Sequence, residues 1–299
     1  MHDPLSEVIA LLRPRTVFTK PISGAGRWAV RYTEFGQPSF CTVLEGRCRL
    51  AVDGHRALEL TAGDFVLLPA TPGFTMSGFE PARPVLVDPR GKAMPTSEVR
   101  HGTRGGRPDV RLLGGYFAFD SPDTTLLVSL LPAVVHVRGS ERLALLVRLV
   151  GEEAGERRPG RDLVLARLIE VLLVEALRST ERGDAPPGLL RGLADARLAP
   201  AIRQMHAHCA RAWTVAQLAR VAALSRSTFF ERFTQAVGRP PMDYLLAWRM
   251  TLARELLRRG ELALAEVAER VGYGSASTFS TAFRRHVGQP PGRYARAHA

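Results

Sequence analysis

The stretch Ser275-Ala276-Ser277-Thr278-Phe279-Ser280-Thr281-Ala282-Phe283-Arg284-Arg285-His286-Val287-Gly288-Gln289-Pro290-Pro291 decides how the rest of the chain is read. A serine oxygen at its start can accept from the backbone amides of the first helical turn, which otherwise lack partners. Phe279 and Phe283 stand four residues apart and share one helical face. Gly288 suits the left-handed residue that ends a helix, and Pro290 blocks continuation. The spacing predicts a helix from 276 to 287. Upstream, Val267, Ala268 and Val271 form one face of a shorter helix, and Gly272-Tyr273-Gly274 supplies a tight turn between the two.

The same grammar occurs once before. Phe229 and Phe233 match Phe279 and Phe283 at an offset of 50, as do Val237-Gly238, Pro240-Pro241 and Tyr244 with Val287-Gly288, Pro290-Pro291 and Tyr294. Ala219 matches Ala268 at 49, so the second copy carries one extra residue in its turn. In the first copy Thr214 can cap a helix bearing Val215, Leu218, Ala219 and Ala222, Ala223-Leu224 turns, and Ser225 caps the second helix. Residues 242–259 bridge the copies as one helix. The repeat therefore predicts two helix-turn-helix units, at about 215–237 and 265–287.

Charge follows the repeat. Lys plus Arg total 41 against 29 acids, a net +12, and residues 200–299 hold 15 Arg and 6 acids. That third carries +9 and the other two thirds only +3. Two serine-capped second helices on a basic block suit two successive major grooves, about 34 Å apart. A plain helical repeat that binds protein is the alternative, and it leaves the charge and the tight turns without a purpose.

Residues 196–297 resemble the DNA-binding domain of the AraC/XylS transcription regulators. The resemblance rests on Ala265-Glu266-Val267-Ala268, Val271-Gly272-Tyr273, Ser277, Phe279-Ser280, Phe283-Arg284-Arg285, Gly288, Pro291 and Tyr294, on the first copy, and on Trp248-Arg249-Met250. It implies that the exposed N-terminal positions of each second helix read base edges: Ser225, Arg226, Ser227, Thr228 and Glu231, then Ser275, Ala276, Ser277, Thr278 and Thr281. By chemistry, Arg226 can fork onto a guanine and Glu231 can accept from cytosine N4. Ser227, Ser277 and Thr281 are short, and phosphate is the other partner open to them. Phe230 stands where the family often has a polar residue, and can meet a thymine methyl or pack. Arg232, Arg284 and Arg285 suit phosphates, and equally suit solvated surface positions.

Working back toward the N-terminus, residues 181–188 read as a linker. Glu141–Glu153 and Asp162–Ser179 read as helices, the second apolar around most of its circumference, to be covered within one chain or by a partner chain. Residues 16–90 read as short strands, Trp28–Tyr32, Phe40–Leu44, Arg47–Val52 and Phe65–Leu68, with a hairpin through Asp53-Gly54 to Ala57–Leu60. Residues 91–109 read as a loop, Leu112–Phe119 and Thr125–Leu131 as returning strands, and 3–13 as a helix capped by Asp3. Pro38–Gly46 and Ala62–Phe74, with Gly115-Tyr116-Phe117 and Leu131–Val137, resemble the cupin sensor domain fused to one subgroup of AraC-type regulators. Metal-dependent cupins use a His-x-His…Glu set and a further His; here Cys41 and Phe74 hold histidine positions, so no metal and no cofactor are expected. Cys41 and Cys48, with Phe74, are candidate effector or redox residues, or the cysteines are structural. Seven residues apart on one regular strand, the two cysteines would face opposite sides. His206-x-His208-Cys209 does not suit one metal ion, because i and i+2 diverge on a helix.

The reading is an α+β multidomain regulator. A cupin-like β-barrel sensor occupies 1–140, connecting and dimerisation helices 141–195, and an all-α double helix-turn-helix domain 196–299. Three cysteines argue against a disulfide scaffold, no apolar run is long enough to span a membrane, and Met1-His2-Asp3-Pro4 opens no signal peptide, so a cytoplasmic, non-enzymatic protein is expected. The expected partners are double-stranded DNA, a small-molecule effector, a second copy of the chain and RNA polymerase, and no membrane. Two rivals stay open: a ligand-independent DNA binder, and a cupin-type enzyme with an appended DNA-binding domain.

Overall fold

The computed structural model describes residues 3–88, 98–119, 128, 131–156, 158–179 and 187–298. The chain forms two compact units, and neither is continuous in sequence. One gathers 13–120 with 132–181; the other gathers 1–12, 121–131 and 182–299.

In the first unit ten strands among the described residues form one curled sheet, a cupin-like half-barrel. They are β1 (Pro14–Ala25), β2 (Ala29–Tyr32), β3 (Ser39–Val52), β4 (Leu58–Thr61), β5 (Phe65–Leu68), β6 (Phe74–Ser77), β7 (Val85–Val87), β8 (Val99–Gly102), β9 (Val110–Phe119) and β10 (Val135–Val137). The main path runs β7-β2-β6-β3-β9-β1-β8, with β4 and β5 on β3 and β10 on β5. β3 is the spine: two runs read separately in the sequence are one strand, which pairs with β5 and β9 at its start and with β4 and β6 at its end. The Asp53-Gly54 turn sets Leu50 opposite Leu58. β8 corrects the expectation of a loop over 91–109, because it pairs parallel with β1, Ile22 against Val99. The strand expected at Thr125–Leu131 lies, but for 128 and 131, outside the described residues, as does most of the linker at 181–188.

Among the described residues this unit also holds two helices, α2 (Glu141–Gly155) and α3 (Arg161–Arg178). Ser140 caps α2, its side chain accepting from the Leu143 amide at 3.2 Å. The buried side of α3 is Leu165, Ile169, Leu172, Leu173, Ala176 and Leu177. Leu163, Val164 and Val171 on α3, with Leu145 and Leu149 on α2, remain 39–63% exposed.

The second unit is helical: α1 (Pro4–Leu12), α4 (Leu189–Ala194), α5 (Leu198–Ala207), α6 (Val215–Val221), α7 (Arg226–Val237), α8 (Pro241–Arg259), α9 (Leu264–Arg270), α10 (Ala276–Val287) and α11 (Pro291–His298). The first helix of the chain thus packs with the last third, burying Leu5, Val8, Ile9 and Leu12, with contacts to α5. The ring of His206 lies 2.9 Å from the Glu7 carboxylate and 2.7 Å from the Tyr244 hydroxyl, so this histidine is a buried structural link. No helix among the described residues is long and apolar enough to cross a membrane.

Candidate nucleic-acid interface and sheet cavity

The sequence repeat is a repeat in space. Thr214 closes a capping box with Gln217 at the start of α6, and Glu266 reaches back to the Ala263 amide at 2.8 Å at the start of α9. Ser225 accepts from the Thr228 amide and Ser275 from the Thr278 amide, both at 3.2 Å. The Phe229–Phe233 and Phe279–Phe283 ring centroids are both 5.5 Å apart. Phe233 meets Tyr244 edge-on at 5.7 Å, and Phe283 meets Tyr294 at 5.6 Å. Gly238 and Gly288 end α7 and α10 in the left-handed conformation.

The turns differ in one informative way. Gly272 has φ +84°, and a Cβ there would come within 2.6 Å of the Ala210 carbonyl oxygen. The equivalent Ala223 also has positive φ, 51°. A left-handed alanine costs about 1–2 kcal/mol and a glycine loses more entropy on folding, about 0.5–1. Ala223→Gly is therefore expected to raise stability by about 0.5–1 kcal/mol, and Gly272→Ala to lower it by more. Urea midpoints of the two variants test this; a destabilised Ala223→Gly would contradict it.

The residues singled out in the sequence fall into two groups. Ser225, Ser227 and Thr228 form one hydroxyl cluster (3.1 and 2.8 Å), Ser275 and Thr278 another (2.9 Å), and Thr281 donates to the Ser277 carbonyl at 3.2 Å. These hydroxyls shape the helix starts. Arg232 is also engaged, its Nε 2.6 Å from Asp195. Burial would raise the Asp195 carboxyl, but the Arg232 bond and the Arg197 and Leu198 amides outweigh it and hold the group low. By contrast, Arg226, Glu231, Arg284 and Arg285 are exposed and, among the described residues, make no side-chain bond. Ala276 is partly buried at the start of α10, and Phe230 is 43% exposed on α7. Sequence reading missed the Asp195–Arg232 pair, which spans 37 residues, and it missed Arg249. That side chain donates to the Cys209 and Arg211 carbonyls (2.7 and 2.8 Å) and ties α8 to the loop beside Gly272. The Trp248-Arg249-Met250 match was the available signal.

In the half-barrel, Cys41 and Cys48 point to the same side, correcting the opposite-face expectation. The register of β3 against β9 shifts between Val43 and Glu45, and this bulge restores the parity that seven residues would break. Gly46 (φ +74°) follows, where a Cβ would collide with the Asp109 carbonyl. Cys48 is wholly buried in the core and Cys41 packs against that core. Burial pushes the Cys41 thiol up to about 12, and Cys48 higher still. Neither is ionised near neutrality, so neither is a ready nucleophile. Phe74 stacks on Tyr32 at 4.8 Å. Both Cys41 and Phe74 line a cavity of about 80 Å³. Among the described residues no three His, Cys, Asp or Glu converge to hold a metal. Asp64, in the second cupin-like stretch, spends its carboxylate on the Thr61 and Gly139 amides (3.0 and 3.2 Å) and lies 3.2 Å from His136.

Comparison with known proteins agrees with this architecture. A cupin family model matches residues 3–180, and a helix-turn-helix domain model matches 218–297. An AraC-like transcription regulator from Streptomyces lividans is 38% identical, aligned over 98% of this chain and 97% of its own. One from Streptomyces antibioticus is also 38% identical, over 98% of each chain. Among solved structures, the DNA-binding domain of AdpA in complex with a target DNA is 32% identical, covering 33% of this chain and 89% of that one, with a TM-score of 0.32.

Proposed function

The chain belongs to the AraC-like transcription regulators, and from that premise we propose that it reads DNA with the exposed N-terminal faces of α7 and α10 while its half-barrel receives a small-molecule effector. One observation carries the first part: two second helices share one cap-and-core geometry, and each leaves polar side chains facing outward. Arg226 and Glu231 are the base readers, with Ser227, Ser277, Ala276 and Phe230 in short-range contact with base edges or methyl groups. Ser225, Thr228, Ser275, Thr278 and Thr281 hold the helix starts in reading geometry. Arg284 and Arg285 meet phosphates, and Arg232 orients α7 through Asp195.

Footprinting across a genome would give the operator, and binding to it tests the assignment. Arg226→Ala should cost about 1–3 kcal/mol and relax preference at one base pair. Unchanged sequence preference would remove Arg226 from the reading face.

The sheet cavity supports an effector role, and the un-ionised thiols favour a small molecule over a redox signal. An effector acts by binding one arrangement of the regulator better than another, so the response is bounded by that difference in affinity. The exposed apolar residues of α2 and α3 support a homodimer through these helices, because a second copy presents the same face and closes it symmetrically. Leu145→Asp with Leu149→Asp should leave a monomer in sedimentation; a dimer that persists would place the interface elsewhere. Under this reading 1–140 senses, 141–195 connects and dimerises, and 196–299 reads DNA, in a cytoplasmic, non-enzymatic protein. The family premise adds RNA polymerase as a partner.

A further inference from the structure

Alternation along β1 sends Phe18, Lys20 and Ile22 to one side, where they meet Leu50 and Met76 around the cavity, with Phe35 and Tyr116 further along its wall. The surface facing the space is almost wholly apolar. Three of its polar side chains, Lys20, Ser39 and Thr71, are engaged within the fold. The Thr71 hydroxyl lies 3.0 Å from the Leu68 carbonyl, within reach of the Gln37 carbonyl, and 2.8 Å from the Ser39 hydroxyl. Lys20 is buried and engaged within the fold, and burial lowers its pKa. The Cys41 thiol stays neutral. A sugar would find too few open donors and acceptors here, and a carboxylate would lose hydration that these walls do not replace. The space of about 80 Å³ accommodates about six water-sized groups at roughly 10–15 Å³ each.

We propose that the cavity takes a compact, uncharged, apolar molecule of about the size of one substituted aromatic ring. This rests on reading the half-barrel as the effector domain. Six aromatic side chains in the wall, Phe18, Tyr32, Phe35, Phe40, Phe74 and Tyr116, supply faces and edges for such a ring. Gly114 keeps the space open: a Cβ there would lie 3.2 Å from the Ile22 Cδ1 and 3.7 Å from the Cys41 Cβ.

The test is thermal unfolding of the full chain with toluene, and with benzoate as its charged counterpart. Near-saturating toluene should raise Tm by several degrees, and benzoate should shift it by less than about one. Cys41→Leu, which fills the space, should remove most of the toluene shift. Gly114→Ala, a milder filling, should reduce it where Cys41→Leu folds poorly. A benzoate shift equal to that of toluene and lost in Lys20→Met would overturn the neutral class while leaving the effector reading standing. No shift with either compound, in protein that still binds DNA, would overturn both. A toluene shift undiminished in both cavity variants would place binding elsewhere and overturn the proposal.

Discussion

Phe283→Ala is expected to cost the helical unit about 3–5 kcal/mol, the range for truncating a buried aromatic residue to alanine. Phe283 has no exposed surface and sits among Met250, Val267, Val271, Phe279 and Tyr294. Those neighbours come from α8, α9, α10, α11 and the turn after α9, so no single helix can shift to fill the space without losing contacts of its own. A domain stable by about 5–15 kcal/mol cannot absorb this loss without marked local opening. The first copy has its own aromatic cluster, Phe229, Phe233 and Tyr244, joined to the second through α8 and through the Cys209–Arg270 contact between the loop before α6 and the end of α9. The variant should therefore lose protection of one half of its DNA footprint before the other, and its urea midpoint should fall sharply. Phe233→Ala should show the mirror pattern. Equal loss of both halves at first onset in each variant would mean that α8 couples the copies into one cooperative unit.

The helix-turn-helix repeat was legible because its determinants are local. Ser225, Ser275, Gly238, Gly288 and the two phenylalanine pairs act within a few residues of themselves, and the structure places each as the spacing requires. The half-barrel was legible as strands and not as a face pattern. A bulge between Val43 and Glu45 and a left-handed Gly46 reverse the side on which Cys48 falls, and parity counting along a strand has no term for a bulge. The pairing of β8 with β1 joins Val99 to Ile22 across the intervening strands, and nothing near Val99 announces it. The Asp3 cap announced a helix at 3–13, and the structure gives it a buried face of Leu5, Val8, Ile9 and Leu12. Which unit would bury it depends on the Glu7–His206 contact, 199 residues apart in the chain. The same division runs through the candidate site. Which residues flank the caps could be read from the sequence. Which of them are consumed by the caps, and which stay open toward a ligand, required the hydroxyl clusters and the Asp195–Arg232 pair to be seen.

That division sharpens the expected response to salt. Counterion release makes affinity fall with salt at a slope of about 0.9 per phosphate neutralised. If the two helix-turn-helix units together meet about six to ten phosphates, affinity should drop about 10³–10⁵-fold between 50 and 200 mM salt. Equilibrium binding to the operator over that range, with matched non-specific DNA, measures it, and a flat response would contradict phosphate contact by this unit. The variants then separate roles that the total charge merges. Arg284→Ala and Arg285→Ala should each lower the slope by about one and weaken binding about equally on every sequence. Arg226→Ala should change preference at one base pair. Arg232→Ala should act through loss of the Asp195 pair, lowering stability while leaving the slope nearly unchanged. An Arg232→Ala slope that falls as far as that of Arg284→Ala would mean that this side chain leaves Asp195 for the backbone when DNA arrives. The ion pair seen here would then be a resting arrangement of the free protein, and Asp195 the group that DNA must displace.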